Sequence, residues 1–280
     1  MLKKILKYDL KAIYKYWWIG ALGSFALSLL GSFGISFLNS EKEIPVPIEI
    51  FSYIAIVLVI LGYAAFIFLG QILLFVRYYK NFYSDEGYLT FTLPVKRINL
   101  LNSKIITGTF TSVSTSLFCL LSGGLMLVIG FRNDIFTNET YEYILESWQE
   151  FKAAFETTGD IVLFIIIVLS FLAIIVTSLV ISNQFMYLCI SVGASISKKA
   201  KVVSGIGIYY LAGSVASFIF TMFSIFVSSA LSNWMFDLSE NKYEFVFALI
   251  PLILLFFIAI LSVVLYAVQY RLLEKKLNLS

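Results

Sequence analysis

Residues able to do chemistry are scarce in this 280-residue chain. Histidine is absent, which removes imidazole general bases, histidine-ligated zinc and histidine pH switches at the level of inventory. Cys119 and Cys189 stand far apart inside apolar runs, without the CxxC spacing of metal or redox sites, and read as small packing residues. An intramembrane protease needs paired aspartates or a Ser–His arrangement at membrane depth, and the apolar runs hold neither. No GxxxxGK[ST] phosphate loop occurs, because Gly123-Gly124 and Gly205-Ile206-Gly207 run on into apolar residues. The expectation is a chain with no catalytic residues, no metal site, no bound cofactor of its own and no nucleic-acid partner.

What polar chemistry remains falls in three places. The long apolar runs contain no Asp, Glu, Lys or Arg, the groups that proton- and sodium-coupled carriers place at midplane. They do contain the amides Gln71, Asn183 and Gln184, which must find hydrogen-bond partners in lipid surroundings, either between helices or along a polar stretch of a path. The second place is the run from Arg77 to Arg97, aromatic and charged at once. Ser84 or Asp85 can cap a short helix there, Glu86 suits its first turn, and Pro94 ends or redirects it. Its Tyr88, Leu89, Phe91 and Leu93 are too apolar for a bare loop, so the protein's own helices or a partner must cover them. The third place is the short connection ending in Ser195, Ser197, Lys198, Lys199 and Lys201, either a topological anchor or a contact surface.

The elements that position these residues follow from composition. Hydrophobic residues make up 60% of the chain and charged residues 13%, where soluble domains carry about 45–50% and 25%. About 20 apolar residues in helix cross a bilayer core, and six runs qualify: 17–38, 50–76, 105–131, 161–190, 202–234 and 245–270. Residues 1–16 read as an interfacial amphipathic helix, with Leu2, Ile5, Leu6, Leu10 and Ile13 on one face and five lysines on the others. They are too long and too patterned for the charged start of a signal peptide. The predicted architecture is an all-α polytopic membrane protein, one transmembrane domain over 1–280, with a surface helix between spans two and three. Glycines within the runs, among them Gly31, Gly34, Gly70, Gly124, Gly205 and Gly207, are assigned to close helix approach.

Lysines and arginines set the orientation, because positive loops stay in the cytoplasm. Lys3 to Lys15, Arg77 to Lys104, Lys198 to Lys201 and Arg271 to Lys276 alternate with acidic loops holding Glu41 to Glu49, Asp134 to Asp160 and Asp237 to Glu244. Both termini are therefore expected in the cytoplasm. The outer segment 133–160 carries Tyr141, Ile144, Leu145, Trp148, Phe151 and Phe155 at helical spacing opposite its carboxylates, which predicts an amphipathic helix across the outer mouth. That helix is either a solvated cap or a surface for a cationic substrate.

The string Lys80-Asn-Phe-Tyr-Ser-Asp-Glu-Gly-Tyr-Leu-Thr-Phe-Thr-Leu-Pro94, with Lys104 at the next span, resembles the first cytoplasmic loop of ABC-2-type ABC transporter permease subunits, in particular a six-span subgroup from Gram-positive bacteria. Leu6-Lys-Tyr-Asp-Leu-Lys-Ala12 and Leu273-Glu-Lys-Lys-Leu-Asn-Leu279 are similar to the same subgroup. The resemblance implies that Tyr83, Ser84, Asp85, Glu86, Gly87, Tyr88, Leu89, Phe91, Leu93 and Pro94 form a coupling helix seated on a separate ABC ATPase subunit. It further implies that ATP and Mg are held by that partner and that a second permease subunit completes a homo- or heterodimer; Ser195 to Lys201 are then either a topological anchor or a second ATPase contact. The function so implied is export of an amphipathic or hydrophobic substrate, such as a peptide, from a bacterial plasma membrane. A non-translocating receptor or immunity scaffold that binds a ligand at its outer face is the alternative.

Overall fold

The computed structural model describes residues 2–40, 44–84, 87, 92, 95–153, 155, 158–196, 201–236 and 240–275, of which 158, 201, 230–236, 240–248 and 275 are described by backbone alone. Among them the structure is all-α, with eight helices and no strand. These are α1 (Leu2–Leu38), α2 (Val46–Tyr83), α3 (Arg97–Gly130), α4 (Arg132–Ile135), α5 (Asn138–Ala153), α6 (Thr158–Ile196), α7 (Lys201–Phe236) and α8 (Glu240–Lys275). Six of them, all but α4 and α5, are long and apolar enough to cross a membrane.

Every spanning helix outruns its apolar stretch. At about 1.5 Å per residue, a helix of 37 residues such as α1 is roughly 55 Å long, against a hydrocarbon core of about 30 Å. The amphipathic pattern predicts residues 1–16 as an interfacial helix leading into the first span, and α1 runs unbroken from Leu2 through that run. The reason is local: Ala12 to Ile19 contains no proline, glycine or capping residue that would end a helix. Conversely, α1 stops at Leu38, where Asn39 and Ser40 turn back onto the carbonyls of Ile35 and Phe37, and Pro45 precedes α2, supplying a fixed φ just ahead of its first turn.

The chain divides into two compact units. One comprises residues 6–74 and 110–157. Within it, α1 buries a stripe at intervals of three and four residues, from Asp9 through Ile13, Trp17, Ala21, Ser24 and Ser28 to Ile35. Trp17 packs with Ala21 and Phe66, flanked by Tyr14, Leu73 and Phe118, and its indole N–H donates to Thr115 Oγ1 at 2.9 Å. Tyr14 donates to Ser114 at 2.6 Å, and Ile35, Val59 and Met126 make a second cluster nearer the far face.

The other unit comprises residues 1–5, 75–109 and 158–280. Here α6 packs against both α7 and α8. The α6–α7 pair crosses at glycine: a Cβ on Gly193 would lie 2.5 Å from the Gly205 Cα and no farther from its nitrogen, so the two backbones touch. Ser204 Oγ donates to the Gly193 carbonyl at 2.8 Å across the same crossing. By contrast, a Cβ added at Gly124 or Gly207 would meet nothing within 4 Å, so close approach does not explain these two glycines.

Candidate functional site

The connection 84–96 leaves α2 and enters α3, and both of its roots are tied to other helices of the same unit. At the α2 root, the fully buried Tyr78 stacks on Tyr187 of α6, ring centroids 4.3 Å apart and planes 13° from parallel. Its hydroxyl shares a 2.9 Å hydrogen bond with Ser191, whose own Oγ lies 2.8 Å from the Tyr187 carbonyl. Phe82, also buried, packs at a tilt on Tyr78 one turn later, and Tyr83 joins the same hydroxyl cluster through Tyr78 and Ser191. Aromatic rings spaced by four and five residues can do this because the turns of α2 beyond Val76 project past its apolar run.

At the α3 root, Arg97 Nη1 donates to the carbonyls of Leu273 and Glu274, each at 3.3 Å, placing a cation on the negative end of α8. Further along α3, Asn102 Oδ1 accepts from the Tyr266 hydroxyl at 2.7 Å. Lys104, 3% exposed, offers its carbonyl to the Tyr187 hydroxyl at 3.3 Å. Gly108 lies under the same tyrosine, where a Cβ would sit 2.6 Å from the hydroxyl oxygen. The polar ring closes between α6 and α8: Gln184 Oε1 accepts from Ser262 at 3.0 Å, and Gln269 Nε2 donates to the Gln184 carbonyl. Gln269 is fully buried and its Oε1 has no hydrogen-bond partner among the described residues.

Of the residues that the sequence assigns to the site, Asp85, Glu86, Tyr88, Leu89, Phe91, Leu93 and Pro94 lie outside the described residues, as do Ser197, Lys198 and Lys199; Lys201 opens α7 by its backbone. The Ser84 hydroxyl donates back to the Lys80 carbonyl at 2.6 Å, finishing α2, while the Gly87 amide donates to the Ser84 carbonyl at 2.8 Å; the capping expected of Ser84 or Asp85 falls on amides outside the described residues. Gly87 is buried in that turn, and a Cβ there would lie 2.9 Å from the Phe82 carbonyl oxygen. Its requirement is therefore close approach, since no described glycine has positive φ. Ser195 bonds back to the Ser191 carbonyl at 2.8 Å. Asn183 and Gln184 sit together, buried, in the interhelical ring, whereas Gln71 is half-buried on the part of α2 that belongs to the other unit.

Tyr78, Tyr187 and Gln269 do not stand out in the sequence. Gln269 carries a signal, being an amide in the last apolar run, but its place beside Tyr270 and Arg271 at the end of that run gives it the look of a boundary residue. The tyrosine pair carries none, since a stack between residues so distant in sequence leaves no periodicity. Elsewhere, α7 holds Ser214, Ser217, Thr221, Ser224 and Ser228 at alternating spacings of three and four, all exposed, and each hydroxyl donates to a carbonyl of its own helix at 2.8 or 2.9 Å.

Fold and contacts define a polytopic helical membrane protein with six candidate spans. Compared with known proteins, the chain matches no family model, no curated protein and no solved structure.

Proposed function

We propose that this chain is the membrane-spanning permease subunit of an ABC transporter of the ABC-2 type, exporting an amphipathic or hydrophobic substrate such as a peptide. In this reading the chain supplies the path and the mechanical element, while a separate ATPase subunit supplies ATP, Mg and the hydrolytic residues. A second permease subunit, identical or related, completes the membrane assembly. The termini and the connections 84–96 and 197–200 face the cytoplasm of a bacterial cell, where Ser84 to Pro94 form a coupling helix on the ATPase and Ser195 to Lys201 add a second contact. The amphipathic residues 1–16 carry the helix of the first span out through the cytoplasmic headgroup level.

The observation that supports this most is the anchoring of both roots of the 84–96 connection. A force on that connection meets the Tyr78–Tyr187 stack at one end and the Arg97 clamp on α8 at the other, so it is delivered to α6 and α8 as well as to α2 and α3. The permease assembly is then the two-state element, biased by the nucleotide state of its partner.

The test is co-purification of the chain with its ATPase and reconstitution into liposomes. ATP-dependent movement of an amphipathic peptide across the bilayer is the expected result. Peptide binding at the outer face with no movement would instead establish a receptor or immunity scaffold.

A further inference from the structure

We propose that α5 is an interfacial helix seated in the lipid leaflet on the membrane face opposite the termini. At about 100° per residue, Tyr141, Ile144, Leu145, Trp148 and Phe151 fall within one arc of roughly 120°, and Glu139, Glu142, Glu146 and Glu150 within an arc of about 80° on the opposite side. No residue of α5 is buried, and Tyr141, Ile144, Trp148 and Phe151 are 63%, 53%, 51% and 42% exposed. The described residues therefore leave the aromatic face uncovered.

The start of α5 is held at the level where the spans end. Thr137 caps it by accepting from the Thr140 amide at 3.3 Å, and Thr140 Oγ1 donates to the Asp134 carbonyl at 2.7 Å. Asp134 in turn accepts from the Asn39 side chain, just past the end of α1. Exposed apolar side chains also stand at the helix ends before α5: Phe33 and Phe37 of α1, Val128 of α3, then Phe131 and Phe136. On helices that span a membrane, exposed apolar side chains at these levels face lipid.

The chemistry of the face fits a bilayer boundary. Trp148 stacks on Phe151 at 5.5 Å and Phe151 meets Phe155 edgewise at 4.7 Å, an aromatic row of the kind that sits at headgroup level. Lys152 lies over the Trp148 ring, 5.4 Å from its centroid, with a stem long enough to carry its ammonium to the phosphates. A cationic peptide is disfavoured as the occupant because the two faces oppose each other: a ligand drawn to the carboxylates would sit on the water side and leave the aromatic row uncovered. The lipid seat rests on the six spans and the α5 geometry, and not on the transport reading.

The test uses the full-length protein with Cys119→Ser and Cys189→Ala, carrying single cysteines at 142, 144, 146, 148, 150 or 151, each spin-labelled and reconstituted in phosphatidylcholine–phosphatidylglycerol vesicles. Collision with oxygen and with a water-soluble nickel chelate is read at each site by electron paramagnetic resonance. Labels at 144, 148 and 151 should favour oxygen and report a depth of about 5–10 Å, with 142, 146 and 150 favouring the chelate, so that the ratio oscillates with a period of about 3.6 residues. Uniform access to the chelate would overturn the proposal, as would shielding of 144, 148 and 151 from both agents, the signature of a protein cover. Protection that develops only after adding a cationic amphipathic peptide would overturn it too, in favour of a peptide site.

Discussion

Placing one methyl group at the α6–α7 crossing should weaken the protein measurably. In Gly193→Ala the new Cβ begins 2.5 Å from the Gly205 Cα, where carbon contacts settle at about 3.5–4.0 Å. The obstruction is backbone, so no rotamer change relieves it and the helices must part by about 1 Å to restore that separation. Overpacking of this kind costs about 1–3 kcal/mol. Parting also stretches the Ser204–Gly193 hydrogen bond, worth about 0.5–1.5 kcal/mol. Against this, alanine in place of glycine favours the helix by about 0.8–1 kcal/mol. The net expectation is destabilisation by roughly 1–3 kcal/mol, taking these contributions together. At Gly207, two positions beyond Gly205, an added Cβ meets nothing within 4 Å; Gly207→Ala keeps the propensity gain and should be neutral or slightly stabilising. Unfolding both variants beside the parent in mixed micelles, by titration with a denaturing detergent, reads the difference directly. If Gly193→Ala proved as stable as Gly207→Ala, the backbone contact at the crossing would be refuted.

Three further outcomes are expected. Gly87→Val should force the turn against the Phe82 carbonyl, and Glu86→Ala should remove the carboxylate from the proposed coupling segment; on the transport reading both should uncouple hydrolysis from transport while leaving membrane insertion intact. Unchanged ATPase stimulation and unchanged partner pull-down for both variants would remove this connection from the coupling role. Arg97→Met should release the end of α8 by about 0.3–1 kcal/mol, read as faster amide exchange over 271–274, and no change there would show that the clamp carries nothing. For topology, single cysteines at 147 and 84 in a background lacking Cys119 and Cys189 should divide under a membrane-impermeant thiol reagent. Position 147 should label on intact cells and position 84 only after lysis; the opposite pattern inverts the assigned orientation.

Six spans are legible in the sequence because a run of twenty or more apolar residues has few structural options, and each run coincides with a long helix of the fold. Helix ends are less legible. Beyond the apolar stretch a helix such as α1 continues on propensity and on the buried stripe that includes Asp9 and Ile13, and hydropathy does not register such a continuation. The period of α5 is readable since its carboxylates and aromatics alternate sharply, but whether anything in the chain covers its apolar face is a tertiary question that composition does not answer. The polar ring is half legible: Asn183 and Gln184 stand out as amides in an apolar run, whereas the partners of Gln184, Ser262 and Gln269, belong to a helix whose facing side no single-chain pattern reveals. Likewise, the bond from the Ser84 hydroxyl back to the Lys80 carbonyl is not legible from its residue type, which reads equally as a helix end or a helix start.

The hydroxyl row on α7 has a consequence for how that helix can change neighbours. Each of Ser214, Ser217, Thr221, Ser224 and Ser228 gives its proton to its own backbone, so none depends on a partner across a gap. A helix held by interhelical hydrogen bonds, as α6 and α8 are through Gln184, must break them to rotate, and each broken bond in lipid leaves a group without solvent. On α7 the row is indifferent to what stands opposite. Acyl chain, another helix or a passing apolar molecule meets the same small, internally satisfied surface, and exchanging one for another strands no donor. On this face, then, α7 meets its neighbours without a bond to break, while its root stays fixed to α6 by the Ser204–Gly193 hydrogen bond and the glycine crossing.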